Sequence, residues 1–344
     1  MNLQPILDRY LSPLEQALRD ALPTPRPELG LHYGMMRYHL GWVDETFAPV
    51  SGSGGKRLRP LLCLLVTEAS GGLMERVMPV AVALELVHNF SLVHDDIEDK
   101  SVTRRGRPSV WKVWGIPLAT NVGDGLFALT HLALGRLADR GVPPLWVLEA
   151  IRAFDAACVA LTEGQFLDMS FEARVDVTLD EYLQMIRGKT AALIRVACQL
   201  GALIAGAPPE TVAHYARFGE HLGMAFQIQD DWLGVWGEEA ATGKPVGDDI
   251  RERKKNYPVV YALEQLSTAS SLRLADLYQR EQIDETTVQA ILDILGEVGA
   301  EMHTLEAARA YHKKALVTLA ATGIQNQAQI CLRELAGALL SRRS

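Results

Sequence analysis

The residues most able to do chemistry lie in the segment HNFSLVHDDIEDK (88–100), which carries Asp95, Asp96 and Asp99. In a helix, Asp95 and Asp99 share one face and lie about 6 Å apart along the axis. Two carboxylates at this spacing repel each other, and a divalent cation would relieve the repulsion. Oxygen ligands on one wall, completed by water and phosphate, are typical of a magnesium site. A solvated acidic helix end is the alternative interpretation of this segment alone.

Two basic segments supply partners for phosphate. The turn Thr103-Arg104-Arg105-Gly106-Arg107-Pro108 follows the acids directly, and it suits the clamping of phosphate oxygens that a metal already holds. In SGSGGKRLRP (51–60), Lys56 and Arg59 fall in the first helical turn. Cations at a helix N-terminus gain nothing from the macrodipole, so their placement suggests an anionic ligand. A solvated basic turn is the alternative.

A second acidic pair ends another apolar stretch, FQIQDDWLGVWG (226–237), at Asp230 and Asp231. It is followed by GKPVGDDIRERKKNYP (243–258), in which glycines flank Lys244 and would let the loop close over a diphosphate. An ordinary charged loop is the alternative. Together, the two acid-tipped helices predict a cavity whose facing walls bind metal.

The elements that must position these residues are helical. Apolar residues recur at three- and four-residue spacing through 75–99, 118–139, 144–170, 180–205, 210–236 and 286–340. Alternating β-type runs are absent, which predicts an all-α fold. Helices this apolar must be covered on most sides, so we expect one domain over 1–344, a large helical bundle around the cavity that the two acidic motifs predict.

Composition narrows the class of protein. The 344 residues are 48% hydrophobic and 22% charged, with a net charge of -8 that disfavours nucleic acid as a partner. The four cysteines form no Cys-x-x-Cys pair, which disfavours a zinc site or a disulfide framework. The first ten residues include acids, unlike a signal peptide, and no run reaches the ~20 uninterrupted apolar residues of a membrane span. A cytoplasmic protein is therefore expected.

In combination, the motifs resemble those of the trans-type isoprenyl diphosphate synthases, the polyprenyl synthetase family. The resemblance runs from Gly54 to Tyr261, and its elements come in the family's order: GGKRLRP, HDDIEDKSVTRRGRP, GQFLD, GKT, FQIQDD and GKPVGDD…K…P. It implies an all-α isoprenoid synthase fold with a deep central cavity, several Mg²⁺ ions, a homodimer, and two substrates, isopentenyl diphosphate and an allylic diphosphate.

The resemblance also implies roles for individual residues. Those that would hold the diphosphate of isopentenyl diphosphate are Lys56, Arg59, His88 and Arg105. Contacts to the allylic diphosphate are implied for Arg104 and Lys244, and a helix position facing the allylic site for Gln165 and Asp168. Lys254 matches the substrate-binding lysine that follows the second motif. The metal-binding set comprises Asp95, Asp96 (in support), Asp99, Asp230, Asp231 and Asp249. The groups around the ionising carbon are Lys189, Thr190 and Gln227.

The chemistry implied is ionisation of the allylic diphosphate, whose leaving group is neutralised by metal, Arg and Lys. The double bond of isopentenyl diphosphate then attacks the cation. Oxygen atoms of Thr190 and Gln227 would face the cation with partial negative charge. No side chain stands out as the base for the final proton loss, a role that the resemblance assigns to the departed diphosphate.

One position departs from the family pattern. The second acidic motif usually ends in a third acid, and Gly234 occupies that place here. Because Asp230 keeps the position expected to contact metal, we expect catalysis to survive, with a weaker second metal site.

Product length is expected to depend on Phe90 and Ser91, just before the first motif. Ideal helix geometry favours Ser91, about 40° from Asp95 around the axis, over Phe90 at about 140°. The family's short-chain producers favour Phe90, because they carry a bulky residue five before the first aspartate. No aromatic adjoins it at Ser91, so we expect geranylgeranyl diphosphate rather than farnesyl diphosphate.

Two other functions remain open from the sequence. A terpene cyclase of the same fold would need no second diphosphate pocket, so Lys56, Arg59 and His88 oppose it. A non-catalytic partner subunit would tend to lose an acidic motif, and Gly234 gives that alternative slight support.

Overall fold

The chain is built almost entirely of helices. The computed structural model describes residues 4–50, 55–172, 174, 176–237, 246–265, 268–280 and 283–340. It is 79% helical and 2% strand, which confirms the predicted all-α class. The strand is a single hairpin, in which β1 (Thr103–Arg104) pairs antiparallel with β2 (Arg107–Pro108).

The described helices are these, in chain order: α1 Gln4–Ala21, α2 Gly30–His39, α3 Leu58–Ala69, α4 Met74–Glu98, α5 Val110–Trp114, α6 Ile116–Gly135, α7 Pro144–Glu172, α8 Leu179–Ile186, α9 Ala192–Ala205, α10 Pro209–Trp236, α11 Asp248–Arg251, α12 Tyr257–Gln265, α13 Thr268–Gln279, α14 Glu285–Glu297, α15 Ala300–Ala320 and α16 Gln327–Leu340. Pro27–Leu29 and Ala138–Arg140 are short 3₁₀ helices, and Arg187–Ala191 is a π-helix that joins α8 to α9.

Most predicted helical stretches agree with these bounds within a few residues, and the last one divides. The stretch 286–340 forms α14, α15 and α16, because Gly299 and Gly323 adopt left-handed backbone angles (φ 65° and 68°) that end a right-handed helix. The stretch 180–205 is interrupted by the π-helix. A single π-helical turn shifts the apolar pattern by only about one residue, so the sequence pattern does not reveal it.

The chain divides into two compact units, the first comprising residues 1–154, 197–212 and 324–331. In the first unit, α4 packs against α3 and α6. Helix α4 is apolar around most of its circumference and is buried along much of its length, including Val80, Leu84 and Val87. A helix covered on most sides holds its last turn rigidly, and that turn carries the first acidic motif.

The second unit comprises residues 155–196, 213–323 and 332–344. One of its apolar clusters includes Tyr182, Ile186, Ile228 and Tyr257, so α8, α10 and α12 share a core. A second cluster joins Val235 at the end of α10 to α11, α12, α13 and α14. The single domain and the deep cavity expected from the sequence stay predictions.

Two described segments have the length and composition to cross a membrane, Met74–Glu98 and Leu179–Ala205. In both, 72% of the most apolar window is buried inside the protein. Burial of this extent is the pattern of a core helix, so neither segment is strong support for a membrane span.

Candidate active site

The first acidic motif lies at the end of α4, and its middle residue turns inward. Asp96 is 1% exposed, and its Oδ1 accepts hydrogen bonds from Arg104 Nε and Nη2 at 2.9 and 2.6 Å. Burial raises the pKa of Asp96, and the Arg104 guanidinium opposes that rise. Asp95 is half-buried and Asp99 is exposed. The two outer acids therefore remain suited to a ligand, whereas Asp96 holds Arg104.

The β1–β2 hairpin presents Arg104 and Arg105. Its two turn residues, Arg105 and Gly106, both have positive φ (54° and 73°), as in a type I′ hairpin turn. The left-handed conformation of a non-glycine residue costs free energy, and such strain is common at functional sites. Gly55 lies against this guanidinium, because a Cβ there would be 2.9 Å from Arg105 Nη2. The hairpin and the Gly-rich segment thus meet at Arg105.

A buried ion pair anchors the start of α3, where the predicted anion ligands Lys56 and Arg59 lie. Arg57 between them is 4% exposed and donates to Glu15 and Glu85, at 2.7 and 2.6 Å. The motif GGKRLRP therefore contains one structural cation, Arg57, which the sequence did not distinguish from its neighbours.

Two histidines beside this basic region are kept neutral. Burial lowers the pKa of His88 well below its usual range, and Arg59 and Arg105 lower it further. Burial likewise lowers the pKa of His39 to about 3, with Arg105 the next contributor. The structure therefore brings His88, Arg59 and Arg105 together, as expected for a diphosphate pocket. A cavity of about 290 Å³ beside them is lined in part by Arg104, Arg105 and Arg107.

In the second unit, two glycines let α7 cross the π-helix at van der Waals distance. A Cβ on Gly164 would lie 2.2 Å from Lys189 N, and one on Gly188 would lie 2.5 Å from Ala160 O. This close approach brings the Lys189 ammonium to Asp168, one turn further along α7, with which it forms an ion pair. Gln165, the residue after Gly164, is also buried here. The glycines of GQFLD and GKT are thus packing residues.

A third close approach brings Thr190 to Gln227. A Cβ on Gly223 of α10 would lie 2.6 Å from the Cα of Ala191. One turn after Gly223, Gln227 Oε1 accepts a hydrogen bond from Thr190 Oγ1 at 2.7 Å. Thr190 and Gln227 therefore lie where α10 crosses the π-helix, and Lys189, the residue before Thr190, lies where α7 crosses it.

The middle acid of the second motif is also turned inward. Asp231 is 4% exposed, and its Oδ1 accepts from Gln227 Nε2 at 2.9 Å. Its Oδ2 accepts from the Tyr182 hydroxyl and, at 2.9 Å, from the backbone N–H of Tyr257. Burial raises the pKa of Asp231 to about 7, and these three donors oppose the rise. With both oxygens engaged, its contacts favour a positioning role over the metal role expected from the sequence, which stays untested.

The missing third acid of this motif has a spatial replacement. A Cβ at Gly234 would lie 2.1 Å from Oδ2 of Asp249, so the Asp249 carboxylate fills the space that a side chain at 234 would need. Asn256 Nδ2 donates to this oxygen at 3.2 Å, and Lys254 Nζ lies 3.5 Å from Oδ1. Asp249 and Lys254 therefore lie close together, and Asn256 is a partner of Asp249 that the sequence did not reveal. Lys244 lies outside the described residues.

The carboxylates of the two motifs suit a metal ion whose remaining ligands come from a phosphate-containing substrate and water. Among the described residues, no group of three or more His, Cys, Asp and Glu side chains could hold a metal ion by itself. The outer acids of each motif are oxygen donors suited to Mg²⁺, which in phosphate-handling sites keeps water and phosphate oxygens as its other ligands. The donor set thus fits magnesium ions that bind together with diphosphate.

Comparison with known proteins agrees with this geometry. The Polyprenyl synthetase family matches residues 41–295. Geranylgeranyl diphosphate synthase of Mycobacterium tuberculosis is 44% identical over 274 residues, which cover 80% of this chain and 76% of that protein. (2E,6E)-farnesyl diphosphate synthase of Mycobacterium bovis is 37% identical over 338 residues, or 97% and 91% of the two chains.

Among solved structures, the polyprenyl synthetase from Streptomyces coelicolor superposes with a TM-score of 0.90 at 36% identity, over 98% of this chain and 99% of that one. The motifs, the all-helical fold and these likenesses agree with one another. The chain belongs to the polyprenyl synthetase family, and it is a short-chain trans-prenyl diphosphate synthase.

Proposed function

We propose that this prenyltransferase makes geranylgeranyl diphosphate, by successive condensation of isopentenyl diphosphate with dimethylallyl, geranyl and farnesyl diphosphates. The observation that supports the residue roles is that two successive residues of the π-helix have polar partners on two helices: Lys189 pairs with Asp168 of α7, and Thr190 donates to Gln227 of α10. These residue types match a site that must stabilise both a leaving diphosphate and a carbocation.

In the first unit, we assign the diphosphate of isopentenyl diphosphate to Lys56, Arg59, Arg105 and His88. Neutral His88 can donate one hydrogen bond, while the neighbouring guanidinium groups supply the positive charge. Arg104, fixed by Asp96, is assigned to the allylic diphosphate. A guanidinium that is already held by a buried carboxylate loses little further conformational freedom when it binds phosphate.

In the second unit, Lys189 is assigned to the leaving diphosphate and the oxygens of Thr190 and Gln227 to the allylic cation. Hydroxyl and amide oxygens stabilise positive charge by their dipoles and are poor nucleophiles, so they do not trap the cation. Asp168 orients Lys189 through their ion pair. Gln165 and Lys254 are assigned to the allylic side of the site.

Members of this family are generally magnesium-dependent, and we assign Mg²⁺ binding to Asp95, Asp99, Asp230 and Asp249. Bound Mg²⁺ neutralises the charge of the diphosphate leaving group. Asp96 and Asp231 are assigned to holding Arg104 and Gln227 instead, since Oδ1 of each already accepts from that side chain.

The product length is assigned to Phe90 on α4. The Phe90 ring is half-buried, and it packs against Phe127 of α6 with ring centroids 4.9 Å apart and against His94 at 4.8 Å. Ser91 donates to the carbonyl of His88 at 2.9 Å and presents no ring. The aromatic pair Phe90–Phe127 is therefore the better candidate for the floor of the chain-length pocket.

Chromatography of products made from labelled isopentenyl diphosphate tests this assignment. The wild-type protein should release mainly geranylgeranyl diphosphate, and Phe90→Ala should shift the product to longer chains. Each extra buried methylene gains ~0.8 kcal/mol, so a longer tail favours elongation over release. Phe47→Ala removes another half-buried ring, which stacks on Trp114, and should leave the product unchanged. The assignment would be contradicted if Phe47→Ala made longer products, or if Phe90→Ala made no products longer than those of the wild type.

Farnesyl diphosphate is the second candidate product, because the farnesyl diphosphate synthase relative aligns with nearly the whole chain. The same chromatography separates the two products. A hydrocarbon released from geranylgeranyl diphosphate alone would instead indicate a terpene cyclase, and an inactive single chain would indicate a partner subunit.

We further propose a cytoplasmic homodimer. Leu118 and Leu132 of α6 and Leu145 of α7 are large apolar side chains that are 41%, 66% and 78% exposed. Exposed apolar side chains mark an interface where they form a contiguous patch. Light scattering coupled to size-exclusion chromatography should give twice the chain mass, and Leu132→Asp should reduce it.

A further inference from the structure

Gln227 has an amide whose orientation decides what it can do. Its carbonyl oxygen would stabilise a carbocation, whereas its NH₂ group carries partial positive charge and would repel one. The two ends of an amide have nearly the same shape, so only hydrogen-bond partners can fix the orientation. In this structure, the NH₂ end donates to Asp231 Oδ1 and the carbonyl end accepts from Thr190.

Asp231 is suited to fixing that orientation, because its Oδ1 accepts from the NH₂ end of Gln227, and the carbonyl end has no hydrogen to donate. Its other oxygen accepts from the Tyr182 hydroxyl and the Tyr257 backbone N–H. Tyr182 is 1% exposed and lies on α8, 49 residues before Asp231 in the sequence. Two donors on Oδ2 leave Oδ1 directed at Gln227, so the carboxylate does not rotate away.

Thr190, which donates to the carbonyl end of Gln227, also differs from other threonines in its hydrogen bond. Four other helical threonines, Thr67, Thr130, Thr304 and Thr318, donate to the carbonyl four residues earlier in their own helix. Such back-bonding is the usual behaviour of a helical threonine. Thr190 donates across to Gln227 instead, from within the π-helix. The π-helix therefore directs this hydroxyl toward the Gln227 carbonyl.

We propose that Tyr182 and Asp231 are positioning residues that hold the Gln227 amide with its carbonyl oxygen toward the carbon that ionises. Tyr182 fixes the Asp231 carboxylate, Asp231 accepts from the NH₂ end, and the carbonyl end is left beside Thr190. This inference rests on the assignment of Gln227 to the allylic cation made above.

Steady-state kinetics on Tyr182→Phe, Gln227→Ala and the double variant test the proposal. Tyr182→Phe should lower kcat about 10-fold, as expected when a group near the reacting atoms is misplaced, while KM for both diphosphates stays within about threefold. In the Gln227→Ala background the same substitution should change kcat by less than about twofold, because its effect passes through Gln227. A purely structural role would lower kcat equally in both backgrounds.

Tyr278→Phe is the matched control, since Tyr278 is a buried tyrosine of the same unit whose hydroxyl has no hydrogen-bond partner among the described residues. It should leave kcat unchanged. Asp231→Asn provides a second test of the positioning role, because an amide at 231 can pair with either end of Gln227. We expect it to lower kcat by about 100-fold with KM kept.

The outcomes distinguish a failure of the role assigned to Gln227 from a failure of the positioning role assigned to Tyr182 and Asp231. If Gln227→Ala keeps wild-type kcat, the assignment of Gln227 to the cation is wrong and the inference is lost with it. If Gln227→Ala is severe but Tyr182→Phe and Asp231→Asn are silent, only the positioning role is wrong. Equal losses from Tyr182→Phe with and without Gln227 would also overturn it.

Discussion

The two acid-ended helices, α4 and α10, use the same design with different partners. In each, the middle aspartate is buried and holds a side chain assigned to substrate: Asp96 holds Arg104, and Asp231 holds Gln227. The partner of Asp96 is a cation, whereas Asp231 has only neutral donors, and its pKa rises to about 7. The comparison indicates that the two aspartates of each Asp-Asp pair have different roles: the first is assigned to the metal ion, and the second holds a neighbouring side chain in place.

The outer acids should show the largest effects. We expect Asp95→Ala, Asp99→Ala and Asp230→Ala each to lower kcat at least ~100-fold, because the leaving group loses its charge stabilisation. Their melting temperatures should stay near the wild-type value, since none of the three is fully buried. Kinetics and thermal melting on the same samples check both halves. Activity within a few-fold of wild type for any one would remove that residue from the metal site.

The second motif has Gly234 where the first has its third acid, Asp99. The substitution Gly234→Ala tests whether Asp249 takes the place of that acid. Gly234→Ala should displace the Asp249 carboxylate, whose Oδ2 lies 2.1 Å from the Cβ position. We expect about 10-fold weaker binding of Mg²⁺ with inorganic diphosphate by calorimetry, since one carboxylate leaves the site. Gly337→Ala is the control, because a Cβ there meets no atom within 4 Å. Equal binding by both variants would show that Asp249 does not take the place of the missing acid.

That replacement also illustrates what the sequence could and could not show. The acid pairs, the basic turn and the helices were visible because they repeat at helical spacing or lie close together in the chain. Asp249 lies against Gly234, 15 positions earlier in the sequence, and Tyr182 donates to Asp231, 49 positions later. No rule of residue spacing predicts such contacts. The close approaches at Gly164 and Gly188 had a signal in the sequence, because these glycines precede predicted site residues in GQFLD and GKT, but they were interpreted as parts of a motif and not as packing residues. The close approach at Gly223 had no such signal.

The buried acid of the first motif should show a smaller effect than the outer acids. Asp96→Asn replaces a charge-assisted hydrogen bond to Arg104 with a neutral one, a loss of about 1 kcal/mol. We expect KM for the allylic diphosphate to rise about fivefold, with KM for isopentenyl diphosphate unchanged. Arg104→Lys should give a similar rise, because lysine cannot pair with Asp96 through two donors. A fall in kcat with constant KM would instead place Asp96 with the outer acids.

Two buried groups, His39 in the first unit and Asp231 in the second, should contribute to stability with opposite dependence on pH. His39 has a folded pKa of about 3, so the unfolded chain binds the extra proton below about pH 6.5, and stability falls on acidification. Asp231, with its raised pKa, binds its proton first in the folded state, so its contribution to stability increases as the pH falls through 7. In metal-free buffer, the melting temperature of His39→Asn should therefore fall less between pH 7 and 5 than that of wild type. That of Asp231→Asn should fall more, and changes in the same direction would contradict the pKa assignments.

The different roles of the outer and inner aspartates are tested most directly by measuring Mn²⁺ binding with electron paramagnetic resonance in the presence of inorganic diphosphate. Asp95→Ala and Asp230→Ala should each bind Mn²⁺ at least about 10-fold more weakly than wild type, because each loses a metal ligand. Asp96→Asn and Asp231→Asn should bind it within about threefold of wild type, because their carboxylates hold Arg104 and Gln227. A loss of Mn²⁺ from the inner variants as large as that from the outer ones would show that all four aspartates are metal ligands.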